Sequence, residues 1–226
     1  DPLVHIVLPV YNEEKVLARN VETLIDFLRD SNFPYRYFIT LANNASTDNS
    51  FLVCEELAKK FSQVQVFNLP EKGKGLAIRR AWEKSNASVV SFMDVDLASD
   101  LNFFKALIDV VVVKKYDLVI GNRLGKDSKI INRQFIRSVA SRFYNVFIRF
   151  LFRTAISDHQ CGFKAMKKEA FMSIAPSLTD NAWFFDTELI VMARKRGLKI
   201  KSVDIVWIDH TDSKVALGKD SWKMFR

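Results

Sequence analysis

Apolar residues in this chain come alternately in short continuous runs and in helical spacing. The run from Leu3 to Val10 is nearly unbroken and predicts a buried parallel strand. From Glu13 to Arg29 the apolar positions lie three or four residues apart, which predicts an amphipathic helix. Similar runs predict further strands at residues 35–42, 64–68, 88–93, 117–120 and 199–207.

Helical spacing returns between most of these strands. It predicts helices at about residues 49–61, 74–85, 102–114, 133–153 and 183–196, the last stopped by Gly197. This alternation is typical of an α/β fold with a Rossmann-like, mostly parallel central sheet and helices on both faces. Ligands of such sheets bind at the carboxyl ends of the strands, so the loops after the strands are the candidates for a functional site.

Composition limits the class of protein. The chain has 226 residues, 49% hydrophobic and 12% aromatic, which suits one sizeable core, and we interpret residues 1–226 as a single domain. No run of about 18 apolar residues predicts a membrane span. The two cysteines, Cys54 and Cys161, form neither a disulfide framework nor a metal knuckle, which favours a reducing, cytoplasmic setting.

Positive charge is concentrated in one segment. Residues 123–168 contain eleven Lys or Arg against Asp127 and Asp158, a net charge of +9, whereas the whole chain carries +8. A nucleic acid, an anionic membrane and a phosphate-bearing substrate would each favour such a segment.

Two aspartates, Asp94 and Asp96, follow the predicted strand 88–93 with Val95 between them. In extended backbone both carboxylates leave the same side, close enough to share a divalent cation and a bound phosphate. The alternative is an ordinary strand end with polar turn residues. No His or Cys cluster offers a zinc site, so the pair suits a hard, oxygen-liking cation such as Mg²⁺.

Three other loops at predicted strand ends carry polar residues. Pro9 to Glu14 brings a ring, an amide and two carboxylates to a helix start, where acidic residues also simply complement the helix dipole. Asn43 and Asn44 can offer donors and acceptors to a base. Lys72-Gly73-Lys74-Gly75 is either a phosphate-binding loop or a plain turn before a helix, and it is not a Walker loop.

These loops, together with Gly121-Asn122-Arg123 and the block from Ser157 to Lys164, occur in an order and spacing that resembles the family 2 glycosyltransferases of the GT-A fold. Within that family the chain is most similar to polyprenyl- or dolichyl-phosphate hexose synthases, which move mannose or glucose from a nucleotide sugar to a lipid phosphate. The likeness covers nearly the whole chain. One departure is that the family usually has aspartates where this chain has Asn43 and Asn44.

The resemblance implies a role for each loop. Asp96 would ligate Mg²⁺ or Mn²⁺ directly, and Asp94 would face the ribose and metal-bound waters. Asp158 and Gln160 would join them as catalytic residues by orienting the donor sugar or the acceptor. The residues expected to bind the nucleotide sugar are Pro9, Tyr11, Glu13, Asn43, Asn44, Lys72, Lys74 and Asp94.

Other carboxylates and a tail segment stay open. Asp186 and Glu188 lie near the reaction centre in the resembled family, but the same pattern fits solvated carboxylates at a helix start. Ser213 and Lys214 are weak candidates for covering the donor diphosphate.

The acceptor phosphate is expected to bind Arg123, Arg137 and Ser141. A guanidinium group binds phosphate bidentately, and Arg137 and Ser141 lie one turn apart on the predicted helix 133–153. A phosphate monoester is already anionic, so it needs no strong protein base to attack the sugar.

The same helix carries an apolar sector with arginines on its flank. This pattern fits a helix at a membrane interface and equally a core helix whose arginines reach solvent. We expect residues 123–168 to face the acceptor and the membrane surface, at the cytoplasmic face, with any tether in a segment outside this chain. The sector consists of Val139, Phe143, Val146, Phe147 and Phe150.

The sequence therefore predicts a metal-dependent, inverting glycosyltransferase that moves a hexose from GDP-mannose or UDP-glucose to polyprenyl or dolichyl phosphate and binds no nucleic acid. Inversion follows from the resemblance alone. One alternative is a nucleotidyltransferase that makes nucleotide sugars, although its extended glycine-rich loop is missing. A non-enzymatic nucleic-acid-binding domain would explain the basic segment but not the aspartate pair.

Overall fold

The computed structural model describes residues 2–132 and 135–208, and for residues 135–138 and 140 it describes only the helical backbone. Nine strands occur in these residues. They are β1 Leu3–Val10, β2 Arg36–Asn44, β3 Val64–Leu69, β4 Val89–Met93, β5 Leu118–Asn122, β6 Lys129–Ile131, β7 Phe163–Lys167, β8 Ile200–Asp204 and β9 Val206–Ile208.

Seven of the strands form one sheet in the order β3-β2-β1-β4-β7-β5-β8. Neighbours run parallel except β7, which is antiparallel to both β4 and β5. The strands β6 and β9 form a separate parallel pair. The prediction of a mostly parallel central sheet is thus confirmed.

Helices cover both faces of this sheet. They are α1 Leu17–Asp30, α2 Ser50–Lys60, α3 Lys74–Lys84, α4 Phe104–Val112, α5 Phe135–Phe152, α6 Lys168–Ile174 and α7 Phe185–Lys195. The apolar sides of α1, α2 and α4 bury one sheet face, and those of α3, α6 and α7 bury the other. Two layers of apolar side chains therefore fix the sheet and hold its loop-bearing edge in place.

Some predicted boundaries differ from the structure for local reasons. Helix α1 begins at Leu17 instead of Glu13, because the backbone amides of Val16 and Leu17 both donate to the Glu13 carbonyl and form a turn first. The predicted strand 199–207 is two strands in different sheets, with the buried Ile205 between them. The strand β7 is in a segment for which no apolar run predicted a strand.

Helix α5 turns its predicted apolar sector outward. The exposed fraction reaches 70% at Phe143 and 85% at Phe150, whereas Tyr144 and Asn145 between them are buried. The interpretation of α5 as a core helix is therefore wrong for this sector. Among the helices of the described residues, none is long and apolar enough to cross a membrane.

Candidate active site

The candidate residues meet at one edge of the large sheet. Strands β1, β2, β4 and β5 all end there, and the antiparallel β7 begins there, with Met93 opposite Phe163. Because β7 runs backward, its preceding loop lies beside the loop after β4. Segments about 70 residues apart in sequence are thus brought into contact at this edge.

Asp94 and Asp96 lie in a turn that directly follows β4. The amide of Leu97 donates to the Asp94 carbonyl at 3.1 Å, and the side chain of Val95 between them is buried. The Asp94 side chain is 42% exposed, and one oxygen of Asp96 accepts from the amide of Ala98 at 3.0 Å. Asp94 and Asp96 therefore lie in a turn and not in extended backbone, and the metal site that they would share stays a prediction.

The residues fit a divalent cation only in part. Within the described ranges, no group of three or more His, Cys, Asp or Glu side chains is arranged to hold a metal ion. Two carboxylates nevertheless suit Mg²⁺ or Mn²⁺, because these ions commonly take one or two protein carboxylates and complete their ligands with substrate phosphates and water. A metal here would depend on a bound phosphate-bearing ligand.

Lys74 connects Asp94 to a buried carboxylate. Its Nζ lies 2.7 Å from Asp94 Oδ1 and 3.4 Å from Asp186 Oδ2. Burial alone would lower the pKa of Lys74, but the charges of Asp186 and Asp94 outweigh it and raise the pKa above the ordinary value. Lys74 is therefore a fixed positive charge beside the aspartate pair.

Asp186 is held by two lysines. The fully buried Lys164 donates to Asp186 Oδ1 and, at 2.7 Å, to the carbonyl of Cys161. Burial would raise the pKa of Asp186, but Lys164 and Lys74 lower it overall. The interpretation of Asp186 as a solvated helix-start carboxylate is wrong.

Glu188 is buried as well, and its carboxylate has a structural role. It accepts from the amides of Thr179 and Asp180 at 3.0 to 3.1 Å and from the Thr179 hydroxyl at 2.8 Å. These bonds hold the loop before α7, and that loop lies against the start of α3. Glu188 thus supports the site from a distance.

The glycines at 73 and 75 allow close packing. A Cβ on Gly73 would lie 2.3 Å from the carbonyl oxygen of Asn181, and one on Gly75 would lie 2.5 Å from Cβ of Phe185. The amides of Gly73 and Gly75 already donate to the Asn44 side chain and to the carbonyl of Ala182. The idea that these amides cradle a phosphate is therefore wrong for this arrangement.

The two predicted base-binding asparagines differ. Both polar atoms of the Asn44 side chain are hydrogen-bonded within the protein. Its Nδ2 donates to the Val10 carbonyl at 2.6 Å, and its Oδ1 accepts from the amide of Gly73 at 3.2 Å. Asn43 donates to Asn68 Oδ1 at 2.7 Å, and its own buried Oδ1 has no hydrogen-bond partner within the described residues. Asn44 therefore links two loops, whereas the oxygen of Asn43 is a buried acceptor that these loops leave unpaired.

The loop after β1 is hydrogen-bonded to the segment that follows β2. The amide of Glu13 donates to Ser50 Oγ at 2.7 Å, and Pro9 pairs with Ala42 across the parallel strands. The ring of Tyr11 lies under the Lys72 ammonium, 3.8 Å from Nζ to the ring centroid. Predicted donor-binding residues from three loops therefore lie on one side of the site edge.

Arg123 is engaged with Asp158. Its Nε and Nη2 contact the two carboxylate oxygens at 2.7 and 2.9 Å, and its amide donates to Oδ2 at 3.0 Å. Burial would raise the pKa of Asp158, but Arg123 lowers it overall, so Asp158 stays ionised. Because Asp158 is fully buried, it acts on a ligand only through Arg123, while the half-buried Gln160 is nearer the surface.

The remaining predictions are placed only in part. Ser141 lies on the buried side of α5, which argues against contact with a lipid phosphate, and its hydroxyl has no partner within the described residues. The side chain of Arg137 lies outside the described part of the structure, as do Ser213 and Lys214.

Sequence reasoning missed three residues near the site. Asn68, the next-to-last residue of β3, lies directly opposite Asn43, and a polar residue near the end of a neighbouring parallel strand was the available signal. Trp207 lies against Arg123, with the guanidinium carbon 5.5 Å from the ring centroid. Lys164 carried no signal of its own, because its partner is 22 residues away in sequence.

Comparison with a family model gives one match over most of the chain. Residues 5–175 match the model described as glycosyl transferase family 2. Among curated proteins, the glycosyltransferase AglD of Haloferax volcanii is 32% identical over 219 residues, covering 96% of this chain and 35% of that protein. This chain therefore spans about a third of AglD.

Two further relatives are matched over more of their length. A dolichyl-phosphate beta-glucosyltransferase of Trichomonas vaginalis is 30% identical, over 95% of this chain and 68% of that protein. The enzyme of the same name from Saccharomyces cerevisiae is 27% identical, over 97% of this chain and 71% of its own length.

A solved structure shares the fold. The glucosyl-3-phosphoglycerate synthase of Mycobacterium tuberculosis, in complex with Mn²⁺, UDP-glucose and phosphoglyceric acid, superposes with a TM-score of 0.68 at 18% identity. The match covers 95% of this chain and 73% of that one.

Proposed function

Since this chain belongs to glycosyl transferase family 2, we propose that it transfers glucose from UDP-glucose to a polyprenyl or dolichyl phosphate. The observation that carries the proposal is the meeting of Asp94, Lys74 and the Arg123–Asp158 pair at one sheet edge. Family membership makes the chain a glycosyltransferase and sets aside the nucleotidyltransferase and nucleic-acid-binding alternatives.

The choice of donor rests on the relatives, because uracil and guanine each offer a ring N–H to an amide oxygen such as that of Asn43. Two of the three curated relatives are named as glucosyltransferases, and the structural relative was crystallised with UDP-glucose. These observations favour UDP-glucose over GDP-mannose.

Asp94 and Asp96 are the residues proposed to hold a divalent metal. When bound, the metal supplies Lewis-acid stabilisation of the charge on the departing diphosphate. Lys74 places a permanent positive charge beside the same carboxylates, and Asp186 keeps it there. The site thus offers positive charge where the leaving group gains negative charge.

Arg123 is proposed to position the acceptor phosphate. Asp158 takes Nε and Nη2 of the guanidinium, so the edge that bears Nη1 points away from that carboxylate. A phosphate oxygen of the lipid attacks the anomeric carbon, the bond from that carbon to the diphosphate oxygen breaks, and UDP leaves with the electron pair. Asp158 tempers the charge of Arg123, which leaves the phosphate nucleophilic.

The outer face of α5 is proposed to lie on an anionic lipid bilayer. Phe143 and Phe150 are largely exposed, and Arg142 and Arg149 are exposed beside them. Exposed aromatic rings flanked by arginines match the two requirements of an interfacial helix, which are apolar surface for the acyl boundary and positive charge for anionic headgroups. This contact would bring the site to a lipid-borne acceptor.

The proposal is tested by transfer assays in vesicles that contain polyprenyl phosphate. Radiolabelled UDP-glucose and GDP-mannose are supplied separately with Mn²⁺, and the label entering the organic phase is counted. We expect label from UDP-glucose only, and its loss on adding EDTA. Label from GDP-mannose alone would contradict the assigned donor. Transfer that needs no lipid phosphate would contradict the assigned acceptor.

A further inference from the structure

Helix α5 is pinned to the loop before β7 by one asparagine. The side chain of Asn145, on the buried side of the helix, accepts two hydrogen bonds from His159, from the backbone amide at 2.8 Å and from Nδ1 at 2.9 Å. Asn145 is 2% exposed and His159 is fully buried. The Nδ2 of Asn145 donates to the Ser141 carbonyl at 2.9 Å, so its amide orientation is fixed from within α5.

The imidazole of His159 is neutral and held at both ends. Burial, reinforced by the charge of Lys164, lowers the pKa of His159 to about 4. Because Nδ1 donates to Asn145, Nε2 accepts, and the Thr154 hydroxyl donates to it at 2.7 Å. Thr154 follows the end of α5, so the helix and the segment directly after it are both hydrogen-bonded to the same imidazole.

His159 is the immediate neighbour of Asp158, and Asp158 holds Arg123. A displacement of the His159 backbone therefore moves the carboxylate that fixes the guanidinium. From the other side, the fully buried Lys164 donates to the carbonyl of Cys161 in the same loop. The loop before β7 is therefore held by Lys164 on one side and by α5 on the other.

The outward and inward residues of α5 alternate closely. Phe143 and Val146 are exposed, while Tyr144 and Asn145 between them are buried. Tyr144 makes a second link, a 2.8 Å hydrogen bond between its hydroxyl and that of Thr187 on α7. A displacement of the exposed face of α5 would therefore disturb two separate sets of hydrogen bonds on its buried face, those of Tyr144 and of Asn145.

We infer that Asn145, His159 and Thr154 are positioning residues that couple seating of α5 on a bilayer to the placement of Arg123. The inference rests on two parts of the proposed function, the membrane contact of α5 and the acceptor role of Arg123. It adds that the acceptor site is ordered by contact with the membrane that carries the acceptor.

Hydrogen–deuterium exchange measures the coupling without any turnover. The 226-residue chain is compared with and without vesicles of phosphatidylcholine and phosphatidylglycerol that contain no polyprenyl phosphate. Peptides from α5 report binding, and the amides of His159 and Arg123 report order in the acceptor site, because they donate to Asn145 and Asp158. The variants are Asn145→Leu and the milder Thr154→Val, with Tyr144→Phe as the matched control on the same helix face.

In the wild-type chain and in Tyr144→Phe, we expect vesicles to slow exchange in α5 and, by about fivefold, at the His159 and Arg123 amides. In Asn145→Leu, α5 should still gain protection while the two reporter amides do not, and Thr154→Val should lie between. Equal slowing of the reporters in Asn145→Leu would overturn the coupling.

Two outcomes separate the inference from the function beneath it. If α5 of the wild type gains protection and the reporters do not, the coupling is wrong and the membrane contact stands. If α5 itself gains none, both fail, whereas glucose transfer to a detergent-dispersed polyprenyl phosphate still tests the catalytic part of the proposed function.

Discussion

The four aspartates around the site differ in what surrounds their carboxylates. Asp158 and Asp186 are buried and neutralised by Arg123 or by lysines, so they fix cations in place. Asp94 is 42% exposed and faces Lys74. Exposure and a neighbouring cation make Asp94, with Asp96 beside it, the pair available to a ligand.

Replacing Asp96 with Asn should abolish metal-dependent donor binding and leave the fold intact. Asparagine keeps the side-chain oxygen that accepts from the Ala98 amide, so only the charge is lost. Calorimetric titration of UDP with Mn²⁺ is the measurement. Asp100→Asn is the control, since Asp100 makes the same kind of turn contact, with the amide of Asn102 at 2.9 Å. Equal binding by wild type and Asp96→Asn would remove Asp96 from the metal site.

Gly162→Ala should reduce transfer on the order of 100-fold, because misplacing a reacting group by about 1 Å has that effect. A Cβ at this position would lie 1.9 Å from Asp94 Oδ2, so the carboxylate must move. The measurement is kcat with UDP-glucose and polyprenyl phosphate. Gly197→Ala is the control, as a Cβ there meets no atom within 4 Å and φ is +76°. That variant should lose about 1 kcal/mol of stability but keep its activity.

At the scale of elements, the apolar runs were sufficient to predict β1 to β5, because buried parallel strands are continuously apolar. They were insufficient for β7, where Lys164 interrupts the run. Lys164 is tolerated in the sheet because Asp186 on α7 neutralises it, and no local pattern shows such a tertiary contact. For the same reason, the pairing of Arg123 with Asp158 could not be predicted from either loop alone.

The pattern of α5 was predicted correctly, and its environment could not be. An apolar sector flanked by arginines fits both a buried and an interfacial helix, since both remove apolar side chains from water. Only the packing of the inner face, with Ile148 and Tyr144 buried, shows which side faces the protein.

Phe143→Ser together with Phe150→Ser should weaken binding to anionic vesicles by at least about 10-fold. Each substitution removes an apolar ring that would otherwise move out of water when the helix binds the membrane. Both side chains are largely exposed, so stability should change little. Vesicle co-sedimentation at low salt measures the effect. Met172→Ser on α6 removes an exposed apolar side chain elsewhere and serves as control. Unchanged sedimentation of the double variant would exclude α5 as the contact.

At the scale of the whole molecule, some basic side chains of residues 123–168 are paired within the protein and others are exposed on its surface. Lys164, Arg123 and Lys167 are each paired with an aspartate within the structure. The exposed share includes Arg142 and Arg149 of α5. The net charge of the segment therefore overstates the positive surface it offers.

Folding stability should fall in acid through His159. Its pKa is lowered to about 4 in the folded chain from an unperturbed 6.5, so only the unfolded chain gains a proton between these values. The contribution is complete above pH 6.5 and falls as pH drops toward 4, so that about 2 kcal/mol of stability is lost by pH 5. His5, with its pKa lowered to about 3, acts in the same direction.

Urea unfolding at pH 7.5, 6 and 5 measures this dependence. His159→Gln should flatten it by the share of one proton while His5 retains its own share. An unchanged slope in His159→Gln would show that the imidazole is not buried in its neutral form.

The backward strand β7 also bears on the order in which the molecule forms. Its pairing with β4 joins residues 89–93 to 163–167, and β4 itself pairs with the similarly distant residues 4–7 of β1, whereas β1, β2 and β3 join segments much closer along the chain. Contacts across long loops form slowly, because their closure entropy must be met first. The β1 to β3 part of the sheet can therefore assemble early, and the edge that carries Asp94 and Arg123 is completed only when β4 and β7 are in register.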